Sequence, residues 1–127
     1  MKEIIATAKA PEAIGPYSQG TGFNGLVYTS GQLPLDPQTM QFAEGGIEAQ
    51  ARQSLENLKA VLEAGGAGID TVIKTTCFLA DMEHFAAFNE IYTSVFGTEN
   101  APARSCVEVS RLPKDALVEI EAVAYRK

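Results

Sequence analysis

The stretch 104-RSCVEVSRLPKDALVEIEAVA-124 decides how the chain is read. Arg104, Cys106 and Glu108 alternate with Ser105, Val107 and Val109. After Leu112-Pro113-Lys114-Asp115, a second run alternates Val118, Ile120 and Ala122 with Glu119 and Glu121. Period-two alternation is the signature of a half-buried strand. The stretch therefore reads as two strands around a turn. If their apolar halves share one face, a guanidinium, a thiol and three carboxylates share the other. A one-residue slip of register would reverse that arrangement.

The order of elements on either side follows from the same periodicities. Residues 1–10 alternate weakly and read as an edge strand. Pro11, Gly15 and Pro16 make a loop that ends at Tyr17, and 26-LVYTSGQL-33 is β-rich before a Pro34–Pro37 turn cluster. Ala51, Leu55, Leu58 and Leu62 form a helical stripe over 47–64, closed by Gly65-Gly66. The run 70–81 reads as a strand. A second helix over roughly 82–96, capped by Asp81, carries Phe85, Phe88, Tyr92, Val95 and Phe96 and stops at Gly97.

This is a β-β-α-β-α-β-β order with room for one more strand near the start. Right-handed crossovers place both helices on the same face of one mixed sheet, an α+β fold. Val107, Val109, Val118 and Ile120 are expected under the helices. The other face then holds Glu108, Glu119 and Glu121 together with Leu117, Val123 and Tyr125. Those apolar residues imply burial against another copy of the chain.

The chain has 127 residues, 46% of them apolar and 20% charged. That fits one globular domain, 1–127, with no linker or repeat. A net charge of −6 with dispersed basic residues disfavours nucleic acid and anionic lipid as partners. No apolar run is long enough to span a bilayer, and the start of the chain lacks a secretion signal. With two cysteines and no disulfide framework, a cytoplasmic protein is expected. His84, the one histidine, provides neither a metal pair nor a nucleophile elbow.

Several residues carry possible chemistry. Arg104 can hold a carboxylate through its planar fork, or pair with a glutamate of a neighbouring strand. Glu119 on a partly buried face can act as a base on water, or be solvated strand surface. Glu108 and Glu121 qualify equally, and spacing does not choose among the three. Cys106 reads as a non-nucleophilic small side chain and Cys77 as core. Tyr17 can close a site or pack at an interface. Gly31, after Ser30, allows close approach to the backbone, or marks a bulge. Asn89 lies on the second helix.

Four blocks, 14-IGPYSQG-20, 28-YTSGQLPLDP-37, 49-AQARQSLENLKAVLEAGG-66 and 102-PARSCVEVSRLPKDALVEIEAVA-124, resemble the RidA (YjgF) family of enamine/imine deaminases over nearly the whole chain. The resemblance implies a chorismate-mutase-like fold and a homotrimer with three clefts between subunits. It implies hydrolysis of 2-aminoacrylate-type enamines and 2-imino acids to 2-keto acids and ammonia, with no cofactor or metal. By resemblance, Arg104 clamps the substrate carboxylate and Glu119 activates water, with help from the Gly31 carbonyl. Ser30, Asn89 and Cys106 line the pocket, and Tyr17 closes it from the adjacent subunit. A non-catalytic trimeric sensor of small 2-keto acids is the alternative. The chain departs from the family at Met40, where a turn glycine is common.

Overall fold

A computed structural model describes all 127 residues as one six-stranded mixed sheet with two helices on one face. The strands are β1 (Glu3–Ile5), β2 (Gly20–Phe23), β3 (Leu26–Thr29), β4 (Val72–Leu79), β5 (Ala103–Glu108) and β6 (Val118–Tyr125). The helices are α1 (Gly46–Ala64), between β3 and β4, and α2 (Phe85–Phe96), between β4 and β5. The α+β architecture read from the sequence is therefore present. β2 is the additional strand near the start.

The order across the sheet is β1-β2-β3-β6-β4-β5. This corrects the reading of the final stretch. β5 and β6 do not pair with each other. β4 lies between them, parallel to β5 and antiparallel to β6. β6 is also antiparallel to β3, which makes it an interior strand with a ladder on both sides.

Residues paired across a ladder point to the same face of a sheet. Arg104 pairs with Thr75 and Thr75 with Ala122. Cys106 pairs with Cys77 and Cys77 with Ile120. Thr75, Cys77, Ile120 and Ala122 are all buried under the helices. Arg104 and Cys106 thus belong to the helix-covered face, while Val107 pairs with Phe78 and Phe78 with Glu119 on the open face. The expectation that Val107 packs under the helices is incorrect. It is 43% exposed, whereas Val118 and Ile120 are fully buried as expected. Alternation gave the two faces of each strand correctly but matched them the wrong way round.

The core lies between the helices and the sheet. From α1 it takes Ala51, Leu55, Leu58 and Leu62, from α2 Phe88, Ile91 and Tyr92, and from β6 Val118, Ile120, Ala122 and Ala124. Beside its apolar stripe, α1 carries a second stripe of buried polar residues, Gln50, Ser54 and Asn57. Buried polar groups need partners, and these find theirs in irregular backbone. Ser54 donates to the Gln32 carbonyl at 3.0 Å. Asn57 donates to Leu33 and Leu35 at 2.9 and 2.8 Å. Gln50 accepts from the Leu117 N–H at 2.9 Å. One helix face thereby fixes both the segment leaving β3 and the segment entering β6.

Met40 sits at φ 58°, so the turn keeps the left-handed conformation that a glycine would favour. The turn is held by Asp36, whose carbonyl accepts from Met40 and whose carboxylate accepts from Gln38 and Thr39. An L side chain in this region costs roughly 1–2 kcal/mol, part of which glycine returns through its freer unfolded chain. Met40→Gly is predicted to raise stability by about 0.5–1 kcal/mol in urea unfolding. A loss of stability would show that the Met40 side chain contributes packing that outweighs its backbone strain.

Candidate functional site

The residues singled out in the sequence fall into two groups. The first surrounds the end of β3. Tyr28 pairs with Val123, and Gln32 bridges to Ile120. Four steps along one strand thus face three along the other, which is a β-bulge. The extra residue lies within Thr29–Gly31. The Thr29 hydroxyl accepts from the Ala122 N–H at 3.0 Å, and Ser30 donates its hydroxyl to the Ser18 carbonyl at 2.5 Å. Ladder bonding resumes with Gln32 N–H to the Ile120 carbonyl at 2.7 Å.

Gly31 lies directly against Glu119. A Cβ at position 31 would overlap the Glu119 carboxyl group and its Cγ. A side chain at position 31 would have to push the Glu119 side chain aside. Glu119 is half-buried, and burial, followed by the charge of Glu121, pushes its carboxyl group above the ordinary glutamate value. That is the direction a general base on water needs. Tyr17 is half exposed on the loop beside this group. It lines an open hollow of about 300 Å³ with Ser30, and a small recess of about 30 Å³ with Gly31 and Gln32. The largest hollow, about 690 Å³, runs along Ile4–Ala13 and touches this group only through Tyr17, Ser18 and Gln19. Its size does not mark it as the site, because the polar groups with perturbed chemistry lie elsewhere.

The second group is built on β5 and α2. Arg104 donates to the Asn89 side-chain oxygen at 2.7 Å. Its guanidinium carbon lies 4.7 Å from the Tyr92 ring centroid and 5.6 Å from that of Phe85. No carboxylate is bonded to it, so the surface ion pair considered for Arg104 is not formed. Cys106 is two residues along, half-buried. Burial raises its thiol pKa more than Arg104 lowers it. Cys77 is pushed up to about 12, mainly by burial. Neither thiol is poised as a nucleophile at neutral pH.

The sequence reading placed Arg104 and Glu119 on one face. They lie on opposite faces, and two ladder steps, about 10 Å, separate β5 from β6. The structure brings Tyr17, Ser30, Gly31 and Glu119 together, and separately Asn89, Arg104 and Cys106. Glu108 belongs to neither group. Its carboxylate accepts from the Met82 N–H at 2.7 Å and fixes the turn before α2. His84 is half-buried at that turn, with Nδ1 unpartnered. No group of three or more His, Cys, Asp or Glu side chains is placed to hold a metal ion. No helix is long and apolar enough to cross a membrane.

Sequence reasoning treated the α2 aromatic stripe as core. Tyr92 is core at 6% exposure, yet one face of its ring meets Arg104. No spacing rule separates the two roles, because Arg104 comes from a distant strand.

The family profile described as "Endoribonuclease L-PSP" matches residues 7–126. The chain belongs to that family. The "2-iminobutanoate/2-iminopropanoate deaminase" of Salmonella typhimurium is 54% identical over 129 aligned residues, covering both chains completely. A "RutC family protein" of Pyrococcus horikoshii is 53% identical, again over all of both chains. Among solved structures, Escherichia coli TdcF with bound serine superposes with a TM-score of 0.92 at 48% identity, covering 98% of this chain and 99% of that one. The L-PSP family fold is thus the one that the RidA/YjgF motifs led us to expect.

Two outcomes are predicted for the Glu119 group. The folded state holds Glu119's proton more tightly than the unfolded state. Its favourable contribution is complete below the unfolded value, near pH 4.3, and is lost as pH rises through the folded value. Glu119→Gln should therefore melt at or above the native temperature near neutral pH, with the excess vanishing toward pH 4. A lower melting temperature at neutral pH would show that the charged carboxylate is stabilised by its surroundings. Gly31→Ala should displace the Glu119 carboxyl group, which a crystal structure of the variant would show directly.

Proposed function

We propose that the chain is a hydrolytic deaminase of reactive enamines and imines, converting 2-iminopropanoate, 2-iminobutanoate and their 2-aminoacrylate-type tautomers to 2-keto acids and ammonia. The observation that carries this reading is the Arg104 guanidinium. It is held by Asn89 and Tyr92 with no carboxylate of its own. A fork with donors to spare is suited to the carboxylate of an imino acid. The name of the Salmonella relative points to the same substrate class.

In this reading Arg104 fixes the substrate carboxylate and thereby orients the adjacent C=N bond. The protonated imine carbon is already electrophilic, so the protein must supply a placed water and a base. Glu119, with its raised pKa, takes a proton from that water as oxygen bonds to carbon. The resulting carbinolamine collapses to the keto acid and releases ammonia. The Gly31 carbonyl helps hold the water, Ser30, Asn89 and Cys106 line the pocket, and Tyr17 closes it and assists proton transfer to an enamine carbon. Such acid–base help typically contributes 10²–10⁴-fold.

Opposite faces of one sheet do not form one pocket. We therefore place the reaction in a cleft between copies, where the Asn89–Arg104–Cys106 group of one chain faces the Tyr17–Gly31–Glu119 group of the next. Tyr28, Val107 and Tyr125, each more than two-fifths exposed on the open face, give such copies an apolar surface to share. A homotrimer with three clefts is the assembly this family resemblance implies. A soluble, cytoplasmic setting suits such a role.

The family's descriptive name favours a second reading, RNA cleavage. The charge of −6 and the single, half-buried histidine speak against it. A non-catalytic sensor of 2-keto acids would need Arg104 but not Glu119.

The test generates the imines with an amino-acid oxidase and traps them with semicarbazide. Native protein should suppress semicarbazone formation. Arg104→Ala should lose this activity by at least about 100-fold, the scale of a broken charged hydrogen-bond pair. Glu119→Gln should lose turnover yet still bind 2-oxobutanoate. Retained turnover in Glu119→Gln would refute the assigned base. Keto-acid binding without turnover in the native protein would favour the sensor.

A further inference from the structure

Tyr92 and Thr75 form a buried polar pair directly beneath Arg104. Tyr92 is 6% exposed and Thr75 is fully buried. Their hydroxyl oxygens are 2.7 Å apart. The pair occupies the seam between α2 and β4, where the neighbouring side chains Phe88, Cys77 and Leu79 are apolar. Burial and this bond act in opposite directions on the Tyr92 phenol, and burial prevails, so it stays protonated and able to donate. A core needs no such pair for stability. Replacing both hydroxyls with apolar groups of the same shape is generally close to neutral.

What the pair does is fix the ring. Tyr92 has an aromatic neighbour on either side along α2, with centroids at 5.7 Å to Phe88 and 4.6 Å to Phe96. The Thr75 bond anchors the phenol end of the ring. Thr75 is also the in-register partner of Arg104 on β4. One ladder position therefore carries both the cation and the group that aims the ring beneath it. The guanidinium carbon lies 4.7 Å from the Tyr92 centroid, within the range of a cation–π contact. Asn89, one turn before Tyr92 on the same helix, holds one guanidinium nitrogen at 2.7 Å.

We propose that Tyr92, oriented by Thr75, is a positioning residue that presents the Arg104 fork to a carboxylate-bearing ligand. The ring face and Asn89 hold two sides of the guanidinium. Its other donors have no carboxylate partner within the chain and are left for the ligand carboxylate. Tyr92 itself does not touch the reacting atoms. This inference rests on the carboxylate-clamp reading of Arg104 and specifies what makes that clamp rigid.

The test combines single and paired variants of the full chain, read by KM and kcat for the imine reaction and by titration with 2-oxobutanoate. Tyr92→Leu removes the ring. It should raise KM and weaken 2-oxobutanoate binding roughly ten-fold, with kcat changed far less. Tyr92→Phe keeps the ring but loses the Thr75 bond and should show a smaller shift in the same direction. Thr75→Val should match Tyr92→Phe, and the two together should cost no more than either alone. If Tyr92→Leu does not fold, the Tyr92→Phe and Thr75→Val pair decides by the same criterion.

Coupling separates a positioning role from a merely structural one. In an Arg104→Ala background, Tyr92→Leu should add no further loss of ligand binding. An equal further loss there, or an unchanged KM in Tyr92→Leu itself, would overturn the inference while leaving the clamp intact. Should Arg104→Ala alone leave ligand binding and turnover unchanged, the clamp reading fails first and the proposal with it.

Discussion

The double ladder of β6 is the constraint on which the remaining structure depends. Val118–Tyr125 pairs with β3 on one side and β4 on the other. Its even-numbered residues, Val118, Ile120, Ala122 and Ala124, are all at most 3% exposed under the helices. Its odd-numbered residues are then obliged to face the other way. Glu119 is on the open face because Ile120 is in the core. A strand with a ladder on each side cannot slip without breaking both. The candidate base is therefore placed by the same pairing that closes the hydrophobic core.

The two candidate groups reflect two different ways of positioning chemistry. Around Gly31 the device is backbone irregularity. A bulge takes the chain out of the ladder for a few residues, and Ser54 and Asn57 on α1 capture the segment that follows. Bulges re-aim side chains and are frequent beside functional sites. Around Arg104 the device is side-chain packing against a helix. The cation lies on an edge strand and is held by Asn89 and two aromatic rings. The first group supplies a desolvated carboxylate, and the second supplies a restrained cation. Under the proposed function, a ligand with a carboxylate next to a hydrolysable carbon would use one of each.

The two helices, their glycine stops and the alternation of β6 were legible in the sequence because each depends on residues close together in the chain. Gly20–Phe23 was not, since two glycines in four residues hide a strand from any propensity argument. The partner of β5 was not legible either. Alternation tells which residues of a strand share a face, but only the pairing tells which face of the next strand they join. β5 pairs with β4, a parallel neighbour about thirty residues earlier, and not with the strand that follows it across Leu112–Asp115. That one difference separates Arg104 from Glu119. The family motifs marked both residues only as candidates for a site. They did not reveal that one chain keeps the two apart, nor that Tyr92 supports Arg104 from the core.

In the proposed cleft, Arg104 and Glu119 act on one substrate from different copies of the chain. Complementation distinguishes this arrangement from a cleft built within one chain. Arg104→Ala and Glu119→Gln chains, each inactive alone, are co-expressed with different tags and particles containing both are isolated. A cleft shared between copies predicts that imine hydrolysis returns, because some clefts then contain one native Arg104 and one native Glu119. Mixed particles that remain as inactive as either parent would show that both residues serve a cleft from the same chain, and would rule out the shared cleft.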